Sequence, residues 1–155
     1  MKVGNEQSVW AIHNRDEELF LRTNTVALGW KEVGNVKKDM YTRESLKERF
    51  IEVYPNKKRR SAPIASNMLY RFAYEVEVGD LVIFSTKSDR MIHIGRIESE
   101  YFYNDSEPEY RHVRKVKWLK TVSRDQFTVD GLHEIGSALS FFSVKKHVSE
   151  FLSVL

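Results

Sequence analysis

The sequence predicts an α+β protein, a small β-barrel of five to six strands with flanking helices, and three observations carry that reading. Residues 81–84 and 91–97 are apolar runs on either side of a polar Ser-Thr-Lys-Ser-Asp-Arg segment, the pattern of a β-hairpin with a loop of about four to six residues. Gly95 interrupts the second run. Glycine inside a strand marks a bulge, a corner or a close backbone approach, and small closed barrels need such corners. Residues 112–119 (HVRKVKWL) alternate basic and apolar with a period near two, so they form a strand with one wet, positive face.

The remaining elements follow in chain order. Residues 9–13 (VWAIH) are short and apolar and suit a first strand. The acidic run Asp16, Glu17, Glu18 opens a brief helical stretch over 19–21, because negative charge favours a helix N-terminus. Residues 25–30 (TVALGW) read as a second strand that ends on glycine and an aromatic. Thr42 can cap a helix whose Leu46, Phe50 and Val53 share one face, and Pro55 stops it. A second helix begins near Ala62 and Pro63, with Ile64, Met68 or Leu69, Phe72 and Val76 as its apolar face. Val78, Gly79 and Asp80 form the turn into the hairpin. After a polar loop at 104–109 and the basic strand, the stretch following Ser123 is short helix or turn broken by Gly131 and Gly136. Residues 139–144 make the last strand, expected to close the barrel, and Val148, Phe151, Leu152 and Leu155 fit a terminal helix on the outside.

Composition narrows the function classes. A chain of 155 residues with 41% hydrophobic and 30% charged residues is expected to be one domain, spanning 1–155, with a core of its own. No apolar run approaches membrane-spanning length and the first residues lack the apolar centre of a signal peptide, so a cytoplasmic protein with no membrane partner is expected. With no cysteine, thiolate chemistry and Cys-type zinc sites are excluded together. The five histidines are scattered without an i,i+4 pair, no acid-x-Lys triplet sits on a predicted strand, and no Walker-type loop exists. No catalytic residue, metal or cofactor is assigned.

Several segments together resemble a known family. Trp10-Ala11-Ile12, Val26-Ala27-Leu28-Gly29-Trp30, Leu69-Tyr70-Arg71-Phe72 leading into Gly79-Asp80, Ile94-Gly95-Arg96-Ile97, and the basic strand ending in Trp118 look like the N-terminal domain of Mrr-type modification-dependent restriction proteins. That domain belongs with the EVE, PUA and YTH groups of small barrels. The resemblance implies a reader that flips a modified base, methylated cytosine or adenine in DNA, into a pocket at the barrel mouth. Nuclease or NTPase activity would then come from a partner or a further domain.

Base flipping costs a few kcal/mol, which stacking on an aromatic wall, about 1–3 kcal/mol per base, can offset. The candidate pocket residues are Trp10, Trp30, Asn67, Tyr70, Phe84 and Ser85, with Trp30 foremost because it ends a strand just before a loop. Core packing is the plain alternative for the aromatics. Phosphate contacts fall to the run Lys57, Lys58, Arg59, Arg60 and to Arg114 and Lys117 on the basic strand. Alternate residues of a strand face opposite sides, so not all of that strand's cations can address one ligand. An RNA-binding module of PUA or YTH type, a protein-interaction module, and a small amidohydrolase of the ASCH group remain as alternatives.

Overall fold

The structure, a computed structural model, describes residues 7–57 and 61–155. The chain order is β1 (Val9–Ile12), α1 (Leu19–Thr23), β2 (Thr25–Leu28), α2 (Arg43–Val53), α3 (Ser61–Tyr70), β3 (Leu81–Thr86), β4 (Met91–Ile97), β5 (Phe102–Tyr103), β6 (His112–Ser123), α4 (Val129–Ile135), β7 (Phe141–Val144) and α5 (Val148–Leu152). The strands lie in the order β2-β6-β4-β3-β1-β7, with β5 paired to β6.

β1 and β3 run parallel at the middle of this order, Val9 beside Leu81 through Ile12 beside Phe84. Both are covered on two faces, which is why they read as unbroken apolar runs. Trp10, Ile12, Val82 and Phe84 pack with Leu46, Phe50, Leu69 and Phe72 from the α2–α3 side. Val9, Ala11, Leu81, Ile83, Ile92 and Ile94 pack instead with Phe127, Ile135 and Phe151 from the α4–α5 side. The curled sheet is therefore the middle layer between two sets of helices.

The hairpin forms as expected, with β3 extended to Thr86 and a four-residue connection before Met91. At Gly95 the register of β4 against β6 shifts, and a Cβ there would collide with Val116 Cγ1 and lie 2.8 Å from Trp118 Cε3. Bulge and close approach thus coincide at one residue. Thr42 caps α2 through a capping box: its hydroxyl accepts from Ser45 N–H at 3.1 Å, and Ser45 Oγ accepts from Thr42 N–H at 2.8 Å.

Three expectations need correction. Among the described residues there are seven strands rather than five or six, because β5 is only two residues long and is held by its pairing with β6 rather than by its own pattern. β7 does not close a barrel: it pairs with β1, and among the described residues no ladder joins it to β2. The second helix does not continue evenly to Val76. It stops at Tyr70 and passes into a π-helical turn, Arg71–Glu75, whose terminal carbonyls are claimed by Arg114, as set out below. Ile64, placed on that helix's apolar face, is half exposed, and α5 docks chiefly through Phe151.

Candidate functional site

The site begins where β2 ends. Trp30 adopts left-handed backbone angles, φ 61° and ψ 45°, which cost an L-residue roughly 1–2 kcal/mol. Its carbonyl accepts from Val33 N–H at 3.2 Å, which starts a single 3-10 turn, and from His112 Nε2 at 3.0 Å. A carbonyl only accepts, so Nε2 of His112 carries the proton. Nδ1 therefore accepts from the Tyr101 hydroxyl at 2.6 Å, and that oxygen accepts in turn from Val36 N–H at 3.2 Å. Burial pushes the His112 imidazole down to about 4, which keeps it neutral and preserves this order of donors. Tyr103 Oη donates to the Lys31 carbonyl at 2.8 Å. The strained turn that presents Trp30 is thus fastened from behind.

In front of Trp30 lies a cleft of about 1030 Å³. Its walls are the ends of several separate segments: His13 to Arg15 after β1, Ala27 to Trp30, Ser85 and Lys87 around the hairpin, Tyr110, Arg124, and 135–138 with Ser140 ahead of β7. β2 contributes Ala27 and Leu28, and next to β7 only Ser140, the residue just ahead of it, takes part, so the cleft is built from strand ends and loops rather than from strand faces. Trp30 and Tyr110 are half-buried rings on its wall, and Arg15, Lys87 and Arg124 supply positive charge.

Two polar atoms on this wall are buried without a hydrogen-bond partner, His13 Nε2 and Asn14 Nδ2. Burial holds the His13 imidazole below its ordinary value; the nearby Ser137 carbonyl opposes the shift and the Lys87 ammonium adds to it. A neutral imidazole and a carboxamide can each exchange hydrogen bonds with a heterocycle edge. Glu17, also on the cleft wall, ties this segment to the hairpin connection: its carboxylate accepts from Lys87 N–H at 2.6 Å and from the Ser88 hydroxyl. Those bonds hold the Glu17 carboxyl below its usual range, the Ser88 hydroxyl foremost.

The residues expected at a base pocket divide. Trp30 and Ser85 both line the cleft. Trp10 and Phe84 do not: Trp10 is sealed in the core, its Nε1 donating to Asp80 at 2.9 Å and its ring stacked on Phe141 at 5.0 Å, and Phe84 has no exposed surface. Their strands are central and covered on both faces, so neither ring reaches solvent. Tyr70 lies under the Arg43 guanidinium, 4.4 Å from the ring, and Asn67 accepts from Arg43, both away from the cleft. His13, Asn14 and Tyr110 were not singled out by sequence reasoning. No local pattern marks them, since two distant segments, the one after β1 and the one ahead of β6, bring them together.

The expected phosphate contacts divide as well. Lys58, Arg59 and Arg60 lie outside the described residues, while Lys57 is exposed beside a smaller, mainly apolar hollow of about 340 Å³ between α2 and α3, on which Trp30 also borders. Lys117 is exposed. Arg114, by contrast, is buried inside. Its guanidinium donates to the carbonyls of Phe72 at 3.1 Å, Ala73 at 3.1 Å, Val76 at 2.7 Å and Ser99 at 3.2 Å. A cation at the C-terminal end of a helical segment satisfies carbonyls that have no partner in the helix and meets the negative end of its dipole. Arg114 therefore belongs to the interior, out of reach of a phosphate.

One other cluster has the composition of a nucleophile and base. Thr86 donates to the Asp89 carboxylate, and its oxygen lies 2.9 Å from His93 Nε2, with Thr121 Oγ1 2.8 Å from Nδ1. Because the threonine proton is committed to Asp89, the imidazole must donate to Thr86, so it is oriented against withdrawing that proton. Among the described residues no three His, Asp or Glu side chains gather as metal ligands, and no helix is long and apolar enough to cross a membrane.

No curated protein matches the chain. Among solved structures it is similar to the YTH domain of the Zygosaccharomyces rouxii MRB1 protein, crystallised in complex with N6-methyladenosine RNA, at 12% identity and a TM-score of 0.46, over 98% of this chain and 85% of that one. Residues 9–143 match the family described as "Domain of unknown function (DUF8426)", and the chain belongs to that family.

Proposed function

We propose that the protein is a nucleic-acid reader that accepts one modified base in the cleft beside Trp30. The observation that carries this reading is the coincidence, on one wall, of a half-exposed indole held in a strained turn and two buried nitrogens without partners. An unpaired buried polar group costs about 1–3 kcal/mol. A flat heterocycle with polar edges that stacks on Trp30 and draws His13 or Asn14 toward it recovers part of that cost. A merely apolar ligand does not. The cations Arg15, Lys87 and Arg124 suit the phosphates that accompany a flipped nucleotide, and the volume leaves room for the base with its sugar.

In this reading the pocket comprises Trp30, Ser85, His13, Asn14 and Tyr110. The resemblance to the Mrr-type, EVE-like reader domains supports methylated cytosine or adenine in DNA as the target, with a nuclease or NTPase acting as partner. The test is a titration at several salt concentrations against matched duplexes, unmodified and methylated, and against single-stranded RNA carrying N6-methyladenosine. A modified duplex is expected to bind about 10-fold more tightly or better, within the 1–3 kcal/mol that one base contact supplies. Trp30→Ala is expected to abolish the preference with the fold intact. Equal affinity for every probe would overturn the reading, and a preference confined to the RNA would move its target from DNA to RNA.

A further inference from the structure

Outside the cleft, the strand ladder brings like charges face to face. Arg96 on β4 lies directly opposite Lys117 on β6, and beyond the bulge Ile94 lies opposite Lys120, so the three cations share one face of the sheet. All three are exposed. Among the described residues no carboxylate pairs with any of them, although ion pairs hold many other basic side chains. Lys115 differs, since the ladder sets it beside Glu98, whose N–H donates to its carbonyl. Like charges directly across a ladder destabilise a sheet, so folding alone does not account for the Arg96–Lys117 pair.

The line continues to the cleft. Lys120, Val122 and Arg124 fall at alternate positions of β6 and the residue that follows it, Val122 packs against the α4–α5 core, and Arg124 is on the cleft wall. Arg124 to Lys117 is seven steps along the chain, roughly 23 Å at about 3.3 Å per residue. We propose that this row, Arg124, Lys120 and the Lys117–Arg96 pair, is a track for the phosphodiester backbone of a nucleic acid whose base enters the cleft. The inference rests on the reader function proposed above and extends it by a contact several nucleotides long. It uses Lys117 and not Arg114.

The experiment measures the slope of log affinity against log salt for the modified and unmodified duplexes. In the triple variant Arg96→Ala, Lys117→Ala, Lys120→Ala the slope is expected to be less steep by about 0.9 per lost contact, nearly 3 in all, with the preference for the modified base unchanged. Lys47→Ala with Arg49→Ala, whose side chains are paired with Glu44 and Glu52, is expected to leave the slope as it was. Lys117→Glu should raise the melting midpoint, because it faces Arg96, while lowering affinity. An unchanged slope in a folded triple variant, or wild-type affinity in Lys117→Glu, overturns the track. If the preference is lost in Trp30→Ala while the triple variant keeps its slope, the track alone is wrong. If the slope flattens in a protein that never prefers the modified base, the track stands and the pocket reading falls. Absence of binding to every duplex and to the RNA at low salt, about 50 mM, removes both.

Discussion

Two tryptophans of the chain sit in opposite kinds of environment. Around Trp10 the polar groups are paired: the indole N–H goes to Asp80, whose carboxylate also accepts Glu77 N–H at 2.9 Å, and across the core the Arg114 guanidinium donates to four carbonyls. Around Trp30 the backbone is strained, and His13 Nε2 and Asn14 Nδ2 are buried without a well-formed hydrogen bond, the Ser137 carbonyl lying near the imidazole. The first region is complete without a ligand. The second keeps strain and unpaired polar atoms, and under the proposed function this difference, more than aromatic content, separates a core from a site.

The comparison can be broken most easily at Arg114. Arg114→Ala should cost roughly 3–5 kcal/mol in denaturant unfolding, since it leaves several buried carbonyls unpaired at once. A loss below about 1 kcal/mol would mean that the interior does not depend on its polar pairing. The next effect is one of pH. The His112 imidazole titrates near 4 in the folded chain against 6.5 unfolded, so its contribution is complete above 6.5 and is lost as pH falls from 6.5 toward 4. The sum is roughly 3 kcal/mol. His13 and His93, also held low by burial, act with the same sign. Unfolding free energies at pH 7.5 and 4 test the size, and an imidazole resonance of His112 that titrates above pH 6 would break the assignment. The smallest effect is expected at the cleft: Asn14→Leu should cost no more than about 1 kcal/mol, because the exposed turn bond it removes, Asp16 N–H to Asn14 Oδ1 at 3.3 Å, is offset by removal of the unpaired, buried Nδ2. The same change should weaken binding of the modified duplex.

Much of the scaffold was legible in the chain. The hairpin, the break at Gly95 and the Thr42 cap are each written within a few residues, where turn chemistry and periodicity act. Even the fate of Arg114 was available, since it shares its parity on β6 with Val116 and Trp118, whose side chains point inward, while Lys115 and Lys117 have the other. The site was less legible. Trp10 and Trp30 both belong to short apolar runs of sequence, and what separates them is a carboxylate 70 residues away for one and a strained turn just past β2 for the other. His13, Ser85, Tyr110 and Ser137 meet only because the topology delivers strand ends and loops to one place, which no local pattern records.

The missing ladder between β2 and β7 has a mechanical meaning. In a sewn cylinder, admitting a bulky guest means tearing interstrand bonds, each a step uphill. Here, among the described residues, no ladder ties the β2 margin to the β7 margin, so a change in their separation would break no rung that the sheet possesses.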